Sequence, residues 1–480
     1  MIPVPAYHGR RIAVFGLART GLASCRALEA SGATVLAWDD NADRRAPVTD
    51  LACDLYAADF AAIDALLLAP GVPLTHPAPH PLVARAAAAG CPILGDVELF
   101  ETARPHLPAH RLVAITGTNG KSTSTALMAH VAAAAGRPSV AAGNIGVPVL
   151  SLNPLDAGGV YVLETSSFQI DLTHSLRADV AILLNITPDH LDRHGSMAGY
   201  VHAKERLFEM QAPDATAVIG VDDAPGRRLA ARCRQRVVPV SVTGAVDGGV
   251  YVTETGTLID AVDGAARPVA NLAGLPALAG RHNWQNAAAV YAAGRALGLA
   301  AGAIARGLEG FTGLAHRMEP VATRAEVLFV NDSKATNPDA ATRALAAFER
   351  VHWIAGGRAK DPRFAPLRDG AGRDALAHVA HAYLIGEAAG DLAQALGTQV
   401  EHSRHAGMAQ AVAAAAARAR PGEVVLLSPA CASFDAYADF EARGEAFRAA
   451  VAGLDAADAP GAAVWPQQPG QPGQPEGGRP

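Results

Sequence analysis

Val113-Ala114-Ile115-Thr116-Gly117-Thr118-Asn119-Gly120-Lys121-Ser122-Thr123 sets an apolar run against a glycine-hinged turn, a lysine and two hydroxyls, with an Ala-rich run behind it. The pattern predicts strand, loop and helix in that order. Gly117 and Gly120 let backbone N–H groups converge on phosphate oxygens, the following helix presents its positive end, and Lys121 can reach β and γ phosphates. Ser122 or Thr123 is then placed to hold Mg²⁺. The general phosphate-loop pattern wants a glycine five residues before Gly120; Ile115 stands there, so this is a shorter variant. A plain strand-to-helix turn would account for the glycines alone. Lysine followed by two hydroxyls at a helix start points to ATP.

Outward from this loop, apolar runs repeatedly end in polar clusters. Val160-Tyr161-Val162-Leu163 runs into Glu164-Thr165-Ser166-Ser167, and 180–184 runs into Asn185-Ile186-Thr187-Pro188-Asp189-His190. Ligands gather at the carboxyl ends of strands in open α/β sheets, so these loops are expected to converge on Lys121. Glu164 is expected as a Mg²⁺ ligand between phosphate oxygens, and His190 as a ligand or orienting group, with His194 structural. Tyr200 and Lys204 are one helical turn apart, which lets Lys204 point inward. Gly280-Arg281-His282-Asn283-Trp284-Gln285-Asn286 opens a helix running to about residue 297, and Asn283 and Asn286 share a face near its start, suited to a nucleotide.

Toward the N-terminus, residues 11–15 read as a strand, 16–21 as a turn, 22–30 as a helix stopped near Gly32, and 34–38 as a second strand. The glycines follow GxxxxG, a weak dinucleotide signal, yet Asp39 ends the second strand where nucleotide folds place an acid. Beyond Leu314, strands at 327–331, 352–355, 383–386 and 424–428 alternate with helical stretches and predict a parallel sheet. From about Asp455 the chain turns to Pro, Gln and Gly, a composition that cannot support a core. The expected division is 1–99, 100–313, 314–453 and a disordered tail, 454–480.

Composition narrows the function classes. The chain has 480 residues, 50% of them hydrophobic and 18% charged, with net charge −6, so it is globular and carries no basic footprint for nucleic acid. No apolar run approaches a membrane span and no signal peptide opens the chain, so a cytoplasmic location without membrane insertion is expected. Its 5 cysteines are dispersed without a CxxC pair, which suggests neither a disulfide framework nor a zinc site.

Taken together, the motifs resemble the Mur ligase family from about residue 10 to 453. The Gly117–Thr123 loop, Glu164-Thr165-Ser166-Ser167, the run from Asn185 to His194, and Gly280-Arg281-His282-Asn283 occur in the family's order. His316-Arg317, Asn331-Asp332-Ser333-Lys334-Ala335-Thr336-Asn337, the stretch from Leu427 to Asp435, and Phe440-Glu441-x-Arg443-Gly444 resemble its D-glutamate-adding branch, and the Asp-Asn-Pro-Arg motif of the diamino-acid-adding branch is absent. The resemblance implies three α/β domains: a Rossmann-like N-terminal domain for UDP, a central P-loop ATPase-type parallel sheet, and a Rossmann-like C-terminal domain for the amino acid.

It further implies an ATP-dependent ligase that joins D-glutamate to UDP-N-acetylmuramoyl-L-alanine through an acyl phosphate, a monomer using two Mg²⁺ ions. Gly117, Thr118, Asn119, Gly120, Lys121, Ser122, Thr123, Asn283, Asn286, Arg317 and Asp332 would bind ATP. Ser122, Glu164, His190 and Lys204 would hold metal, Lys204 as a CO₂-derived carbamate, and Lys121, His190, Lys204 and Lys334 would be catalytic. Gly16, Ala18, Arg19, Thr20, Asp39, Gly71, Asn144 and Ser166 would hold the UDP substrate; Thr336, Lys360, Ser433 and the Phe440 backbone would hold D-glutamate. Ala18-Arg19 and Asp40-Asn41 depart from the residues other members carry there. The rival expectations are a folylpolyglutamate-type or other Mur-type ligase, and a nucleotide-gated binding protein that makes no bond.

Overall fold

The computed structural model describes residues 1–359 and 364–457. Lys360 and the Pro-Gln-Gly tail after Ala457 lie outside the described residues. The last helix, Phe440–Ala457, carries regular structure a few residues past the expected boundary at 453.

Three sheets organise the chain, and each begins where the sequence concentrates branched apolar residues. The first contains β1 (Arg11–Phe15), β2 (Thr34–Trp38), β3 (Ala65–Leu68) and β4 (Ile93–Leu94) in the order β2-β1-β3-β4, all parallel. The second contains β5 (His110–Thr116), β6 (Ser139–Gly143), β7 (Gly159–Glu164), β8 (Val180–Leu183), β9 (Thr216–Gly220), β10 (Arg236–Ser241), β11 (Val250–Val252), β12 (Thr257–Asp260) and β13 (Arg267–Asn271). Its order is β13-β12-β11-β10-β9-β8-β5-β7-β6, parallel from β6 through β11 and antiparallel only at the β11-β12-β13 edge. The third contains β14 (Glu319–Arg324), β15 (Val327–Asn331), β16 (Val351–Gly356), β17 (Val379–Ile385), β18 (His402–Arg404) and β19 (Val424–Leu427), ordered β14-β15-β19-β16-β17-β18. Only β14 runs antiparallel there.

The parallel pattern expected from sequence therefore holds in all three sheets, with antiparallel pairing confined to the β11-β12-β13 and β14 edges; β9 and β10, inside the second sheet, are strands the sequence reading did not place. β14 carries Pro320 and two charged ends and is only partly buried, which suits an edge strand but hides its period. The residue 16–21 turn is shorter than expected, because the helix Arg19–Ala30 starts inside it. Gly21 permits this: a methyl group there would stand 1.9 Å from the Gly16 carbonyl oxygen. Gly16 itself has φ +94° and lies against Ala69. Both glycines serve the packing of helix on strand.

Apolar packing divides the molecule unevenly. Val14 and Leu67 of the first sheet, Phe100 of the helix Asp96–Ala103, and Leu112 and Tyr161 of the second sheet belong to one continuous core. Phe100 meets Tyr161 edge to face at 5.3 Å. The third sheet has cores of its own on its two faces, one around Trp353 and Leu426 and one around Ile354, Val425 and Phe447. Among the described residues, no helix is long and apolar enough to cross a membrane, and the five cysteines are free thiols.

Gly21→Ala is expected to lower stability by about 1–3 kcal/mol, because the helix must back away from the Gly16 carbonyl. Urea unfolding of the two proteins side by side measures it.

Candidate active site

At the carboxyl end of β5 the glycine loop takes the conformations its sequence calls for. Gly117 has φ +153° and Gly120 φ +85°, and Gly120 caps the helix Lys121–Ala134. A side chain at Gly120 would meet Asn286 Oδ1 at 2.2 Å, so the loop lies directly on the helix Arg281–Ala296. The neighbouring strand end holds it in place: the Asn185 carbonyl accepts from Thr118 N at 2.8 Å, and Asn185 Oδ1 from Asn119 N at 2.9 Å. Asn185 belongs to the Asn-x-Thr-Pro-Asp-His run, but its grip on the loop had no signal of its own in the sequence.

Two lysines meet at this loop. Lys121 Nζ donates to the Gly117 and Thr118 carbonyls, both at 2.8 Å, and Lys204 Nζ donates to the same Gly117 carbonyl at 2.9 Å. Lys204 is 1% exposed and lies over the Tyr200 ring at 4.7 Å, on the inward face expected for it. Burial lowers the pKa of both ammonium groups, and each is lowered again by neighbouring positive charge, Lys121 by Arg317 and Lys204 by Lys121. Lys204 falls well below its ordinary value.

Beside the lysines, Ser122 Oγ donates to Glu164 Oε2 at 2.5 Å, and Asn144 Nδ2 donates to Glu164 Oε1 at 2.8 Å. Arg317, just ahead of the third sheet, reaches across and donates to Ser122 Oγ at 2.6 Å. His190 sits in the left-handed region, φ 52°, with Nε2 3.4 Å from Asp189 and its ring 4.8 Å from Phe168; burial lowers its pKa. His194 instead packs inward, bonded to Ser167 Oγ at 2.9 Å, in keeping with a structural role. Among the described residues no group of three or more His, Cys, Asp or Glu converges. The hydroxyl of Ser122 and the carboxylate of Glu164 are oxygen donors of the kind Mg²⁺ takes, an ion that accepts one or two carboxylates and completes its shell from phosphates and water.

A cleft between the second and third sheets is lined by Asn119, Gly120, Thr123, Asn283, Asn286, Arg317, Asp332, Lys334 and Arg343. Most of the residues assigned to ATP from sequence are therefore brought together. Asn286 Oδ1 is buried there without a partner, while Asn283 is engaged with the Ala279 carbonyl. Asp332 accepts from Ser428 Oγ and Met318 N, and burial pushes its carboxyl up to about 7. Arg343 was not anticipated: with the Asn119 amide oriented to satisfy both groups, its carbonyl oxygen accepts from both Arg343 amino nitrogens at 2.8 and 3.2 Å.

Of the residues assigned to D-glutamate, Thr336 follows β15 and its N–H donates to the Lys334 carbonyl at 2.8 Å, Ser433 follows β19 and is 2% exposed, and Phe440 opens the last helix. The Phe440 carbonyl already accepts from Ser333 Oγ at 2.8 Å, and the Phe440 ring lies 3.6 Å beneath Lys334 Nζ. Burial brings Lys334 down to about 8, with Arg317 adding to the shift.

The residues assigned to UDP are more scattered. Asp39, buried, accepts from Leu17 N at 2.7 Å and Asn41 N at 2.9 Å, so it braces the β1 loop. Ala18 caps the helix beside it and Arg19 and Thr20 open that helix, and Arg19 donates to the Gly146 carbonyl, in the loop after β6, at 3.2 Å. The Gly71 carbonyl is held by Arg193 at 2.8 Å. Ser166 completes a capping box with Gln169, and Asn144 is bound to Glu164.

A glycine loop with a half-buried lysine, opening a helix at the end of a parallel strand, is a phosphate-binding arrangement. Residues 115–294 match the Mur ligase middle domain, and 316–431 the Mur ligase glutamate ligase domain. The chain is similar to the UDP-N-acetylmuramoylalanine--D-glutamate ligase of Caulobacter vibrioides (strain NA1000 / CB15N), 50% identical over 469 residues covering 95% of this chain and 98% of that one. The protein of the same name from Phenylobacterium zucineum (strain HLK1) is 51% identical over 464 residues, 94% and 98% of the two chains. Among solved structures, the UDP-N-acetylmuramate-alanine ligase of Thermotoga maritima superposes with TM-score 0.56 at 18% identity, over 94% of this chain and 100% of that one, a likeness of fold. The chain belongs to the Mur ligase family.

Lys334 loses its proton as pH rises through about 8, so any step that uses its charge is expected to slow above that pH. Lys334→Arg, whose charge persists, should push the alkaline limb of the kcat/KM profile to higher pH. Stopped-time assays between pH 7 and 10 on both proteins read this directly.

Proposed function

We propose that this protein is an ATP-dependent ligase that joins D-glutamate to UDP-N-acetylmuramoyl-L-alanine in peptidoglycan precursor synthesis, acting as a cytoplasmic monomer. Near-full-length similarity to ligases named for that reaction supports the substrates. The observation that carries the chemistry is Arg317 Nη2 on Ser122 Oγ at 2.6 Å, a contact from the acceptor side of the cleft onto the phosphate loop. In this reading the sheets belong to three domains, Rossmann-like 1–99, P-loop ATPase-type 100–313 and Rossmann-like 314–453, with a hinge near residues 310–314 that closes on nucleotide.

A carboxylate does not acylate an amine at neutral pH until it is phosphorylated. The γ-phosphoryl group passes to the L-alanyl carboxylate and ADP departs; the uncharged amine of D-glutamate then attacks, inorganic phosphate leaves with the C–O electron pair, and the nitrogen sheds a proton. Lys121 and the glycine loop bind the triphosphate. Ser122 with Glu164, and His190 with Lys204, would hold two Mg²⁺ ions, which supply charge neutralisation at the phosphoryl oxygens. Asn283, Asn286, Arg317 and Asp332 bind the rest of ATP. Lys334 stabilises the oxyanion of the tetrahedral intermediate. The first-sheet loops around Gly16, Arg19, Asp39 and Gly71 hold the uridine diphosphate, with Asn144 and Ser166 near the muramoyl end. Thr336, Lys360, Ser433 and Phe440 receive the D-glutamate carboxylates.

Lys204 is read as carrying a CO₂-derived carbamate. An ammonium group cannot add CO₂, whereas an uncharged amine can, and burial of Lys204 favours the uncharged form. The product offers oxygen, the donor that hard Mg²⁺ accepts.

With UDP-N-acetylmuramoyl-L-alanine and ATP, phosphate release is expected with D-glutamate and not with L-glutamate, L-lysine, meso-diaminopimelate or no amino acid. Release with none of them would leave a nucleotide-gated binding protein. Lys204→Ala should lose activity by about a hundredfold or more and regain part of it with added short carboxylic acids. Undiminished activity, or no rescue, would remove the carbamate from the scheme.

A further inference from the structure

The least expected charge in the molecule lies beneath the acceptor side of the cleft. Arg443, in the helix Phe440–Ala457, is 1% exposed. Its guanidinium donates to Ser333 Oγ at 3.0 Å, the Ser333 carbonyl at 2.8 Å, the Cys431 carbonyl at 3.0 Å and the Gly356 carbonyl at 3.3 Å. Among the described residues no carboxylate forms an ion pair with it. The Asp435 charge favours the cation without pairing to it; a buried guanidinium with no direct ion pair is costly, and the carbonyls around it compensate through geometry.

That geometry has a direction. Ser333 follows β15, Gly356 ends β16 and Cys431 follows β19, and β15, β19 and β16 are consecutive neighbours in the third sheet. One side chain therefore fastens the loops at the carboxyl ends of three adjacent parallel strands. Gly357 makes room for it: a methyl group there would meet Arg443 Nη1 at 3.0 Å and the Ala432 carbonyl at 2.1 Å. The last two loops are also paired by backbone, Arg358 N to the Ala432 carbonyl at 2.8 Å and Ala432 N to the Arg358 carbonyl at 2.9 Å. Ser333 relays the contact, since its hydroxyl accepts from Arg443 and donates to the Phe440 carbonyl. Lys334 is the next residue along, and Ser433 is two beyond Cys431.

We propose that Arg443 is the positioning residue of the amino-acid acceptor pocket, acting through Ser333, Gly356 and Cys431 to set Lys334, Ser433 and Phe440. This rests on the acceptor reading given under Proposed function. A planar fork with five N–H donors can serve four acceptors on three loops; a lysine has three donors at one point and cannot span them. The guanidinium keeps its charge at neutral pH even though burial lowers it to about 10. It therefore adds positive potential below a pocket meant for a dianion.

The test uses full-length enzyme with Arg443→Lys and Ser333→Ala, reading KM for D-glutamate, ATP and UDP-N-acetylmuramoyl-L-alanine separately, with melting temperature alongside. Arg443→Lys is expected to raise KM for D-glutamate about tenfold or more, and Ser333→Ala about threefold, while the other two KM values stay within about twofold. Ser333→Ala removes a single hydroxyl, so it decides the matter if the lysine variant does not fold. The inference is overturned if the three KM values rise together, or if Ser333→Ala leaves KM for D-glutamate unchanged. Failure of the wild-type enzyme to use D-glutamate at all would instead refute the acceptor reading beneath it.

Discussion

Two ammonium groups donate to a single carbonyl oxygen, that of Gly117, and the rest of the site is arranged around that crowding. Lys121, half-buried, and Lys204, buried, arrive from different helices, with Arg317 and Lys334 contributing further positive charge and Glu164 a buried carboxylate beside the loop. Such a concentration of cations has a high electrostatic cost when nothing anionic is held among them. A polyphosphate offsets the cost, so the same side chains that bind it are conditioned by its charge. Burial lowers the pKa of both lysines first, and neighbouring positive charge lowers each further.

The loop keeps its shape because neighbouring strand ends share the work. Asn185 holds Thr118 and Asn119 through two hydrogen bonds, Asn144 orients Glu164, and Tyr200 lies under Lys204. Each of these residues stands at or just after the carboxyl end of a parallel strand, or on the helix that follows. Parallel topology thus gathers the groups on one edge, and the close fit of Gly120 against Asn286 fixes the distance between loop and cleft.

What could be read from sequence and what could not divides along a physical line. The phosphate loop, Glu164, the His190 run and the Tyr200–Lys204 face are legible because each is a local pattern: a strand, a turn chemistry, a helical spacing. Convergence of these loops follows from the parallel alternation, and the third-sheet motifs gain their meaning from resemblance. Arg343 carries no local pattern, and Asn185, though it opens the Asn-x-Thr-Pro-Asp-His run, gives no local sign of its grip on the glycine loop, since both contacts bridge segments far apart in the chain. Arg443 stands within a recognisable motif, but nothing in the motif says that its charge is buried on three carbonyls. The Gly16 turn misleads in the opposite sense: six residues read as loop, yet the missing Cβ of Gly21 draws the helix forward to Arg19. The edge strands β13 and β14 escape because partial burial leaves them without a clear alternation.

The uneven division of the apolar interior has an evolutionary consequence. The first two sheets are welded through Phe100 and Tyr161 into one interior, so a mutation in either is felt by both and they must change in concert. The third sheet seals its own oil on both faces and touches its neighbour through polar contacts such as Arg317 to Ser122. Selection can therefore rework the third sheet and its loops as a module, while the joined interior of the first two sheets is inherited intact.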